Sequence, residues 1–342
     1  MKTTVLGRTG LAVTRTSFGA LPIQRVAKPE AVRILRKAFD SGITFYDTAR
    51  AYSDSEEKLG EAFGAPSVRD QIVIATKSGA TDSAGFRSNL ETSLRLLKTD
   101  RVDLAQLHNP SALYAPDDAN SPLHAMLRAR DEGKIRFVGI TNHSIDRARE
   151  AVKSGIYDTL QFPLSALSSD EDLSLIDLCR KTNTGLIAMK ALAGGLLNRA
   201  AIAFAFLRQF ENVVPIWGIQ RMTELDEFLE LEAAPPPLNA AMLAEIEKDK
   251  AQLGPSFCRG CGYCLPCPAA IPIPMAARMP LLLRRAPSAS YLTDEWKSKM
   301  EQIKDCIECG HCKAHCPYHL DTPALLKTAL ADYAAFAEAE KS

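Results

Sequence analysis

Short β-branched segments alternate with longer amphipathic segments from Ser17 to about Glu232, and this alternation restricts the fold more than any other feature. The predicted strands are Ser17–Ala20, Thr44–Thr48, Ile72–Lys77, Val102–His108, Ile135–Thr141, Thr159–Leu164, Gly185–Lys190 and Val213–Gly218. The predicted helices are Glu30–Asp40, Ser55–Phe63, Phe86–Lys98, Pro122–Glu132, Ile145–Lys153, Glu171–Lys181, Ala200–Gln209 and Glu224–Leu231. We therefore predict a parallel (β/α)8 barrel; a doubly wound open sheet is the alternative, although it rarely sustains eight repeats.

Segments on either side of this pattern set the domain organisation. Thr3–Val13, around Gly7 to Gly10, predicts a hairpin that closes the base of the barrel, and Pro235–Pro237 marks a stiff boundary after the last helix. We predict a barrel over 1–234, a linker with a helix at Asn239–Ala251 over 235–254, a small ferredoxin-like iron–sulfur domain over 255–322, and a helix over 323–342.

Charge and hydropathy narrow the class of partner. Lys and Arg total 41, Asp and Glu total 41, and the formal net charge is zero. A nucleic-acid or membrane-surface partner would favour a basic excess, and no apolar run approaches the roughly 18–20 residues that span a bilayer. We expect neither nucleic acid nor a membrane as partner.

Eight of the nine cysteines form two runs near the carboxyl end, each followed by proline. The runs are Cys258, Cys261, Cys264 and Cys267, then Cys306, Cys309, Cys312 and Cys316. Three cysteines at steps of three, with a fourth before proline, is the spacing of a bacterial ferredoxin with two [4Fe–4S] clusters. Two zinc sites are the alternative, but zinc sites usually pair two separated Cys-x2-Cys units, which leaves a third cysteine unexplained.

The fourth cysteine of each ferredoxin run ligates the other cluster. We therefore expect one cluster on Cys258, Cys261, Cys264 and Cys316, and a second on Cys306, Cys309, Cys312 and Cys267. The first run has two residues before its last cysteine where the ferredoxin pattern has three, so Cys267 departs from the pattern. Reduced, metal-binding thiols without a secretion signal indicate the cytoplasm.

Four side chains of different chemistry come from the carboxyl ends of three consecutive predicted strands. Asp47 and, shortly after it, Tyr52 follow the second strand, Lys77 ends the third, and His108 ends the fourth. The active site of a parallel barrel lies at these strand ends, so the four side chains should converge. Any one of them alone would more often be structural, as a cap, an ion pair or loop packing. Together they equip a site to polarise and protonate a carbonyl, because a lysine cation favours the tyrosine phenolate.

These segments resemble the aldo-keto reductase family across the whole barrel. The segment Gly42–Tyr52, with Ser55 and Glu56, resembles the family signature. Residues 75–77 resemble the strand that carries the family's lysine, and residues 107–110 resemble the segment that carries its histidine. The resemblance implies a tetrad of Asp47, Tyr52, Lys77 and His108, in which Tyr52 is the general acid/base. The tail further resembles the branch of predicted aldo-keto oxidoreductases that carry a ferredoxin domain.

The resemblance also implies a binding site for NADP(H) or NAD(H). The matching positions for the nicotinamide and a phosphate are Thr141, Asn142, Gln161, Met189, Lys190, Gly218 and Arg221. Met189 stands where many members place a stacking aromatic residue, and the Lys-Ser pair that grips the NADPH 2′-phosphate is missing. Phe228 replaces an asparagine that often meets the adenine. Lys190 and Arg221 favour an anionic substrate or a cofactor phosphate.

Three functions remain open from the sequence. The first is reduction of a small carbonyl, or oxidation of an alcohol, with NAD(P)H. The second omits nicotinamide, and the clusters relay electrons from a ferredoxin-type partner to a substrate or flavin at the barrel mouth. The third is an electron-transfer module without enzymatic activity, which the complete tetrad disfavours.

Overall fold

Ten strands occur in the computed structural model, which describes residues 1–253, 257–285 and 288–340. They are β1 (Thr3–Val5), β2 (Ala12–Thr14), β3 (Ser17–Gly19), β4 (Phe45–Asp47), β5 (Val73–Ser78), β6 (Val102–His108), β7 (Ile135–Thr141), β8 (Thr159–Pro163), β9 (Gly185–Met189) and β10 (Val213–Gly218). From β3 onward each strand pairs in parallel with the next, and β10 closes the ring on β3. The predicted (β/α)8 barrel is confirmed, and the open-sheet alternative is wrong.

Nine helices belong to the barrel part of the chain, within the described residues. They are α1 (Lys28–Asp40), α2 (Ser55–Phe63), α3 (Pro66–Arg69), α4 (Ser83–Leu97), α5 (Pro122–Asp131), α6 (Ile145–Ser154), α7 (Asp170–Thr182), α8 (Ala200–Arg208) and α9 (Met222–Ala233). The short helix α3 was not predicted. Helix α4 begins at Ser83, earlier than predicted, because the Asp82 side chain caps it by accepting from the Gly85 amide at 2.7 Å.

The antiparallel hairpin of β1 and β2 closes the base of the barrel, as predicted. Leu6, Leu11 and Val13 are buried in one apolar cluster with barrel residues such as Phe45 and Val73. The hairpin backbone approaches the start of β9 closely, because a Cβ on Gly7 would lie 2.2 Å from the Gly185 amide nitrogen. This packing fills the base of the barrel, opposite the carboxyl ends of the strands.

The chain divides into two compact units. The first comprises Met1–Ala191 and Ala200–Leu238, and the second comprises Leu192–Arg199 and Asn239–Ser342. The sequence did not indicate that Leu192–Arg199, which follows β9, would belong with the tail. Residues 254–256, where the predicted iron–sulfur domain begins, lie outside the described residues.

The second unit is helical. Its helices are α10 (Ala240–Leu253), α11 (Ile273–Ala276), α12 (Met279–Arg285), α13 (Asp294–Glu301), α14 (His311–Ala314) and α15 (Thr322–Ala339). Helices α10 and α15 correspond to the two helices predicted for the tail. Its core contains Met279, Met300 and Leu326 together with Cys264 and Cys312, so both cysteine runs reach into the apolar interior. None of the described helices is both long and apolar enough to cross a bilayer.

Candidate active site and cysteine-lined cavities

The barrel register brings all four predicted tetrad side chains to one rim. Asp47 is paired with Ala75 of the neighbouring strand, which places Lys77 two residues further toward the rim. Lys77 Nζ donates to Asp47 Oδ1 at 2.6 Å and to the Thr48 carbonyl at 2.6 Å. The same Nζ lies 5.0 Å from the centroid of the Tyr52 ring, and the His108 ring meets that ring edge-on with centroids 5.9 Å apart.

Asp47 and Lys77 form a buried ion pair. Burial by itself lowers the pKa of Lys77, but the Asp47 carboxylate and Tyr52 raise the pKa overall. Burial raises the pKa of Asp47, and the Lys77 cation opposes that rise. The lysine therefore remains a cation at neutral pH, held in place by the carboxylate beneath it.

Tyr52 keeps its proton at neutral pH. Burial raises the pKa of Tyr52, and this effect exceeds the lowering by the adjacent Lys77 cation. The sequence predicted only the lowering, because burial of a loop residue cannot be read from its neighbours in the chain. A protonated phenol beside a lysine cation is a hydrogen-bond and proton donor toward a carbonyl oxygen.

His108 is a neutral imidazole. Burial and the nearby Lys77 cation lower its pKa to about 3. The ring can therefore share a hydrogen bond with a substrate oxygen, but it carries no charge between pH 5 and 8.

A buried network fixes the loop that carries Tyr52. Glu56 is 1% exposed, accepts from Thr76 Oγ1 at 2.6 Å, and pairs with Arg50. Thr48 Oγ1 and Ser55 Oγ are 2.9 Å apart. The sequence predicted Ser55 and Glu56 as the start of a helix and linked them to the site only through the family resemblance. Their contacts show that they hold the two ends of the loop around Tyr52.

The predicted carboxamide-binding side chains already have partners within the chain. Thr141 Oγ1 accepts from the Asn109 amide at 3.0 Å. Asn142 Nδ2 donates to the Pro110 carbonyl at 3.1 Å, and its Oδ1 accepts from the Ser144 amide at 2.8 Å. A bound nicotinamide would therefore share or displace these hydrogen bonds.

Gln161 belongs to a buried triangle that the sequence analysis missed. Gln106 Nε2 donates to Gln161 Oε1 at 2.9 Å and lies 3.3 Å from Asp47 Oδ2, and Gln161 Nε2 lies 3.4 Å from Asp47 Oδ1. The signal was a polar residue in the middle of the apolar strand β6. Gln106 and Gln161 thus orient the carboxylate that holds Lys77.

The remaining predicted cofactor-binding residues differ in how exposed they are to solvent. Met189 is partly buried against the inner apolar cluster, and Lys190 follows it with a left-handed backbone, φ 56°. Gly218 is exposed, and Arg221 is 68% exposed with its guanidinium 3.7 Å from Glu224. Phe228 stacks on Trp217 at 4.5 Å and is buried, so it packs α9 against the barrel and is not available to an adenine.

His143 is a further rim residue that the sequence analysis did not single out. It directly follows Asn142 after β7 and is buried. Burial and then the charges of Lys190 and His108 lower its pKa well below the usual value. A histidine two residues past the end of a barrel strand was the available signal.

Two cavities in the second unit are each lined by cysteines of both runs. The first is lined by Cys258, Cys261, Cys264, Cys312 and Cys316. The second is lined by Cys264, Cys267, Cys306, Cys309 and Cys312. Each cavity contains one of the two predicted ligand sets in full, and Cys264 and Cys312 line both because they stand between the cavities.

The composition of these cavities fits an anionic, sulfur-bound group. Apart from the thiols their lining includes apolar side chains such as Ile273 and Leu325. Within the described residues, no three His, Cys, Asp or Glu side chains converge on a single metal position. A [4Fe–4S] cluster bound by four cysteines suits this arrangement.

The fold and the rim together define an oxidoreductase barrel, and comparison with known proteins agrees. The family model described as "Aldo/keto reductase family" matches residues 15–203, and a "4Fe-4S dicluster domain" model matches 257–321. The chain belongs to the aldo/keto reductase family and carries a C-terminal 4Fe-4S dicluster domain. The predicted family is thereby confirmed.

Relatives of known name match a little over half of the chain. L-galactose dehydrogenase of Arabidopsis thaliana is 32% identical over 210 residues, which cover 56% of this chain and 66% of that protein. The aldo-keto reductase YhdN of Bacillus subtilis is 28% identical over 214 residues, which cover 58% of this chain and 64% of that protein. The matched region thus spans less than two thirds of either relative.

A solved structure shares the fold. The holo form of aldo-keto reductase AKR11C1 from Bacillus halodurans has a TM-score of 0.63 at 22% sequence identity. The match covers 73% of this chain and 96% of that one.

Proposed function

We propose that the protein reduces a small carbonyl compound, or oxidises the corresponding alcohol, with NAD(P)H. The observation that carries this proposal is the position of Tyr52 beside the buried Lys77–Asp47 pair, where burial raises the pKa of the phenol. Tyr52 donates a proton to the carbonyl oxygen during reduction and accepts it back in the reverse direction. The oxygen develops negative charge as the carbonyl is reduced, and the Lys77 cation stabilises that charge.

Other residues of the chain orient the substrate and the cofactor. His108, neutral and edge-on to Tyr52, shares a second hydrogen bond with the substrate oxygen. Thr141, Asn142 and Gln161 would face the nicotinamide carboxamide, with Met189 against the ring and Gly218 and Arg221 near a phosphate. The nicotinamide supplies or accepts the hydride when bound.

The eight paired cysteines are proposed to hold two [4Fe–4S] clusters, in the cross-ligated sets predicted from their spacing. One set is Cys258, Cys261, Cys264 and Cys316, and the other is Cys306, Cys309, Cys312 and Cys267. The support is that each set lines one cavity. Such clusters carry single electrons, which suits a ferredoxin-type redox partner and a cytoplasmic setting.

The substrate is proposed to carry negative charge. Lys190 directly follows β9, and the exposed Arg221 directly precedes α9. Both follow the carboxyl ends of barrel strands, where the substrate and a cofactor phosphate have to bind.

A second candidate function omits the nicotinamide, and the internal hydrogen bonds of the carboxamide-binding side chains favour it. Thr141, Asn142 and Gln161 are already bound to other groups of the chain. In this candidate the clusters relay electrons from a ferredoxin-type donor to a substrate or flavin.

One experiment separates the two candidates. The protein is purified without air, assayed for iron and sulfide, and titrated with NADH and NADPH while its fluorescence is followed. Saturable binding of either nucleotide, with turnover of carbonyl substrates, supports the first candidate. If neither nucleotide binds, and reduced ferredoxin or viologen supports turnover, the second candidate replaces it.

A further inference from the structure

The cavity of the first cysteine run lies beside a buried arginine. Arg278 stands between α11 and α12 and is 9% exposed. A Cβ on Gly260 would lie 3.1 Å from Arg278 Nη1, so the guanidinium lies against the backbone between Cys258 and Cys261. Its Nη2 donates to the Gly194 carbonyl at 2.5 Å.

The charge of Arg278 has no carboxylate partner among the described residues. Its Nε is buried without a hydrogen-bond partner. Burial lowers the pKa of the guanidinium, and the groups that oppose this effect are Cys258 and Tyr291. A buried cation is costly unless an anion compensates it, and an anionic group bound at Cys258 would supply that compensation.

The second cavity has a different electrostatic environment. Among the described residues its lining contains Glu308 and His311 but neither lysine nor arginine, whereas Arg259 lines the first cavity. Glu308 pairs with Lys327 at 2.6 Å, and both side chains are exposed, so this pair is screened by solvent. Cys309 is exposed, and the neighbouring Ile307 is 67% exposed. The second cavity is therefore the more accessible one, and no buried cation lies beside it in the part of the chain that the structure describes.

We propose that Arg278 gives the cluster in the first cavity a higher reduction potential than the cluster in the second. Reduction adds one negative charge to a cluster, and a nearby cation in a low-dielectric interior stabilises the reduced form more than the oxidised form. A ferredoxin-type one-electron donor would reduce a cluster in the second cavity. One electron would then pass to a cluster in the first cavity, which oxidises the former and reduces the latter, with Cys264 and Cys312 standing between the two cavities.

This inference rests on the proposed cluster ligation, and it is tested by redox titration of the full-length holoprotein. Reduction is followed by electron paramagnetic resonance with dithionite and mediators. Cys261→Ala and Cys309→Ala, each lining only one cavity, assign the two signals. The wild-type protein is expected to show two steps, with the first-cavity cluster reduced at the higher potential.

Substitutions at Arg278 separate charge from packing. Arg278→Gln is expected to decrease the reduction equilibrium constant of the first cluster at least tenfold, which is about 59 mV for a one-electron couple, and to move the second cluster much less. Arg278→Lys keeps the charge and is expected to stay close to wild type. The matched control is Lys327→Gln, an exposed cation near Cys306, which is expected to leave both steps in place.

Other outcomes also decide the matter. Loss of the first cluster alone in Arg278→Gln and Arg278→Met, with both clusters kept in Arg278→Lys, would equally show that the charge compensates this cluster. An unmoved first step in Arg278→Gln, equal shifts of both steps, or loss of both clusters in all three variants would overturn the proposal. Iron content is measured first, so that a failure of the proposed cluster ligation is distinguished from a failure of the proposed role of Arg278. The redox titration does not depend on carbonyl reduction, so it does not require the proposed enzymatic activity.

Discussion

Tyr52 combines two opposing influences within one side chain. Burial favours the protonated phenol, whereas the Lys77 cation favours the phenolate. Because burial prevails, the resting site is prepared to donate a proton rather than to accept one. The Lys77 cation then becomes important as charge develops on the substrate oxygen.

Replacement of this phenol gives the most direct test of the proposed chemistry. Tyr52→Phe is expected to decrease kcat for carbonyl reduction by about 10²–10⁴-fold, the usual contribution of general acid catalysis, with nearly unchanged cofactor binding. His108→Ala should decrease kcat less, because it removes a hydrogen bond and leaves the proton donor in place. Steady-state kinetics and nucleotide titration measure both effects. A Tyr52→Phe enzyme with most of the wild-type rate would exclude Tyr52 as the acid.

The pH dependence follows from the same two residues. Reduction requires protonated Tyr52, whose pKa is raised above about 10, so kcat for reduction should fall only at strongly alkaline pH. His108, with a pKa of about 3, should cause no break between pH 5 and 8. Oxidation should increase with pH, since it needs the phenolate. A break in the wild-type reduction profile near pH 6.5 that is absent from His108→Ala would contradict this assignment.

The sequence predicted residue identities better than residue environments. Asp47, Tyr52, Lys77 and His108 were found because strand ends of a barrel converge, which is a property of the topology. The buried partners Gln106 and Glu56 were not assigned roles, because their significance lies in long-range contacts to Asp47, Thr76 and Arg50. The direction of the Tyr52 pKa depends on burial, which single-sequence patterns do not supply.

At the scale of elements, α2 and α4 pack closely because a glycine lies at their contact. A Cβ on Gly60 of α2 would lie 2.0 Å from the Leu96 carbonyl oxygen of α4. Helix α2 follows the Tyr52 loop and carries Glu56, so this contact also supports the candidate active site.

Gly60→Ala is expected to destabilise the protein by about 1–3 kcal/mol, because the two backbones must separate to admit the methyl group. Denaturant titration, followed by a spectroscopic signal from the barrel, measures the change in the free energy of unfolding. Gly79→Ala is the matched control, since its Cβ would meet nothing within 4 Å. Equal stability of the two variants would show that α4 moves aside without cost.

Element types were predictable because hydrophobic periodicity reports them directly, whereas element ends depend on single contacts. Helix α4 begins at its Asp82 cap rather than at the first apolar residue. Strand β4 ends at Asp47, although the β-branched pattern continued through Thr48. The cysteine spacing predicted which thiols gather, since each predicted set lines one cavity, but not the buried Arg278 between two helices.

At the scale of the whole molecule, the last cysteine of each run is proposed to bind the cluster of the other run, and this predicts which cluster is lost in a cysteine variant. Cys316→Ser should disrupt the cluster of Cys258, Cys261 and Cys264, which is distant in sequence, more than the cluster of its own run. Wild-type protein isolated without air should contain about eight irons and eight sulfides. Iron assay and electron paramagnetic resonance measure both, with Cys179→Ser, a buried thiol outside both runs, as control. Stoichiometric zinc without visible absorption would contradict the cluster assignment.

The division of the chain into two units has a consequence for transplanting the tail. Leu192–Arg199 interrupts the barrel sequence yet belongs with the tail, where Gly194 accepts from Arg278 and Arg199 pairs with Glu245 and Asp249. A chimera that joined only residues 239–342 to a reductase without such a tail would leave Arg278 and Asp249 without these partners. The unit that can be exchanged is therefore the segment Leu192–Arg199 together with the tail. An exchange between relatives has to replace two separate stretches of the gene at the same time.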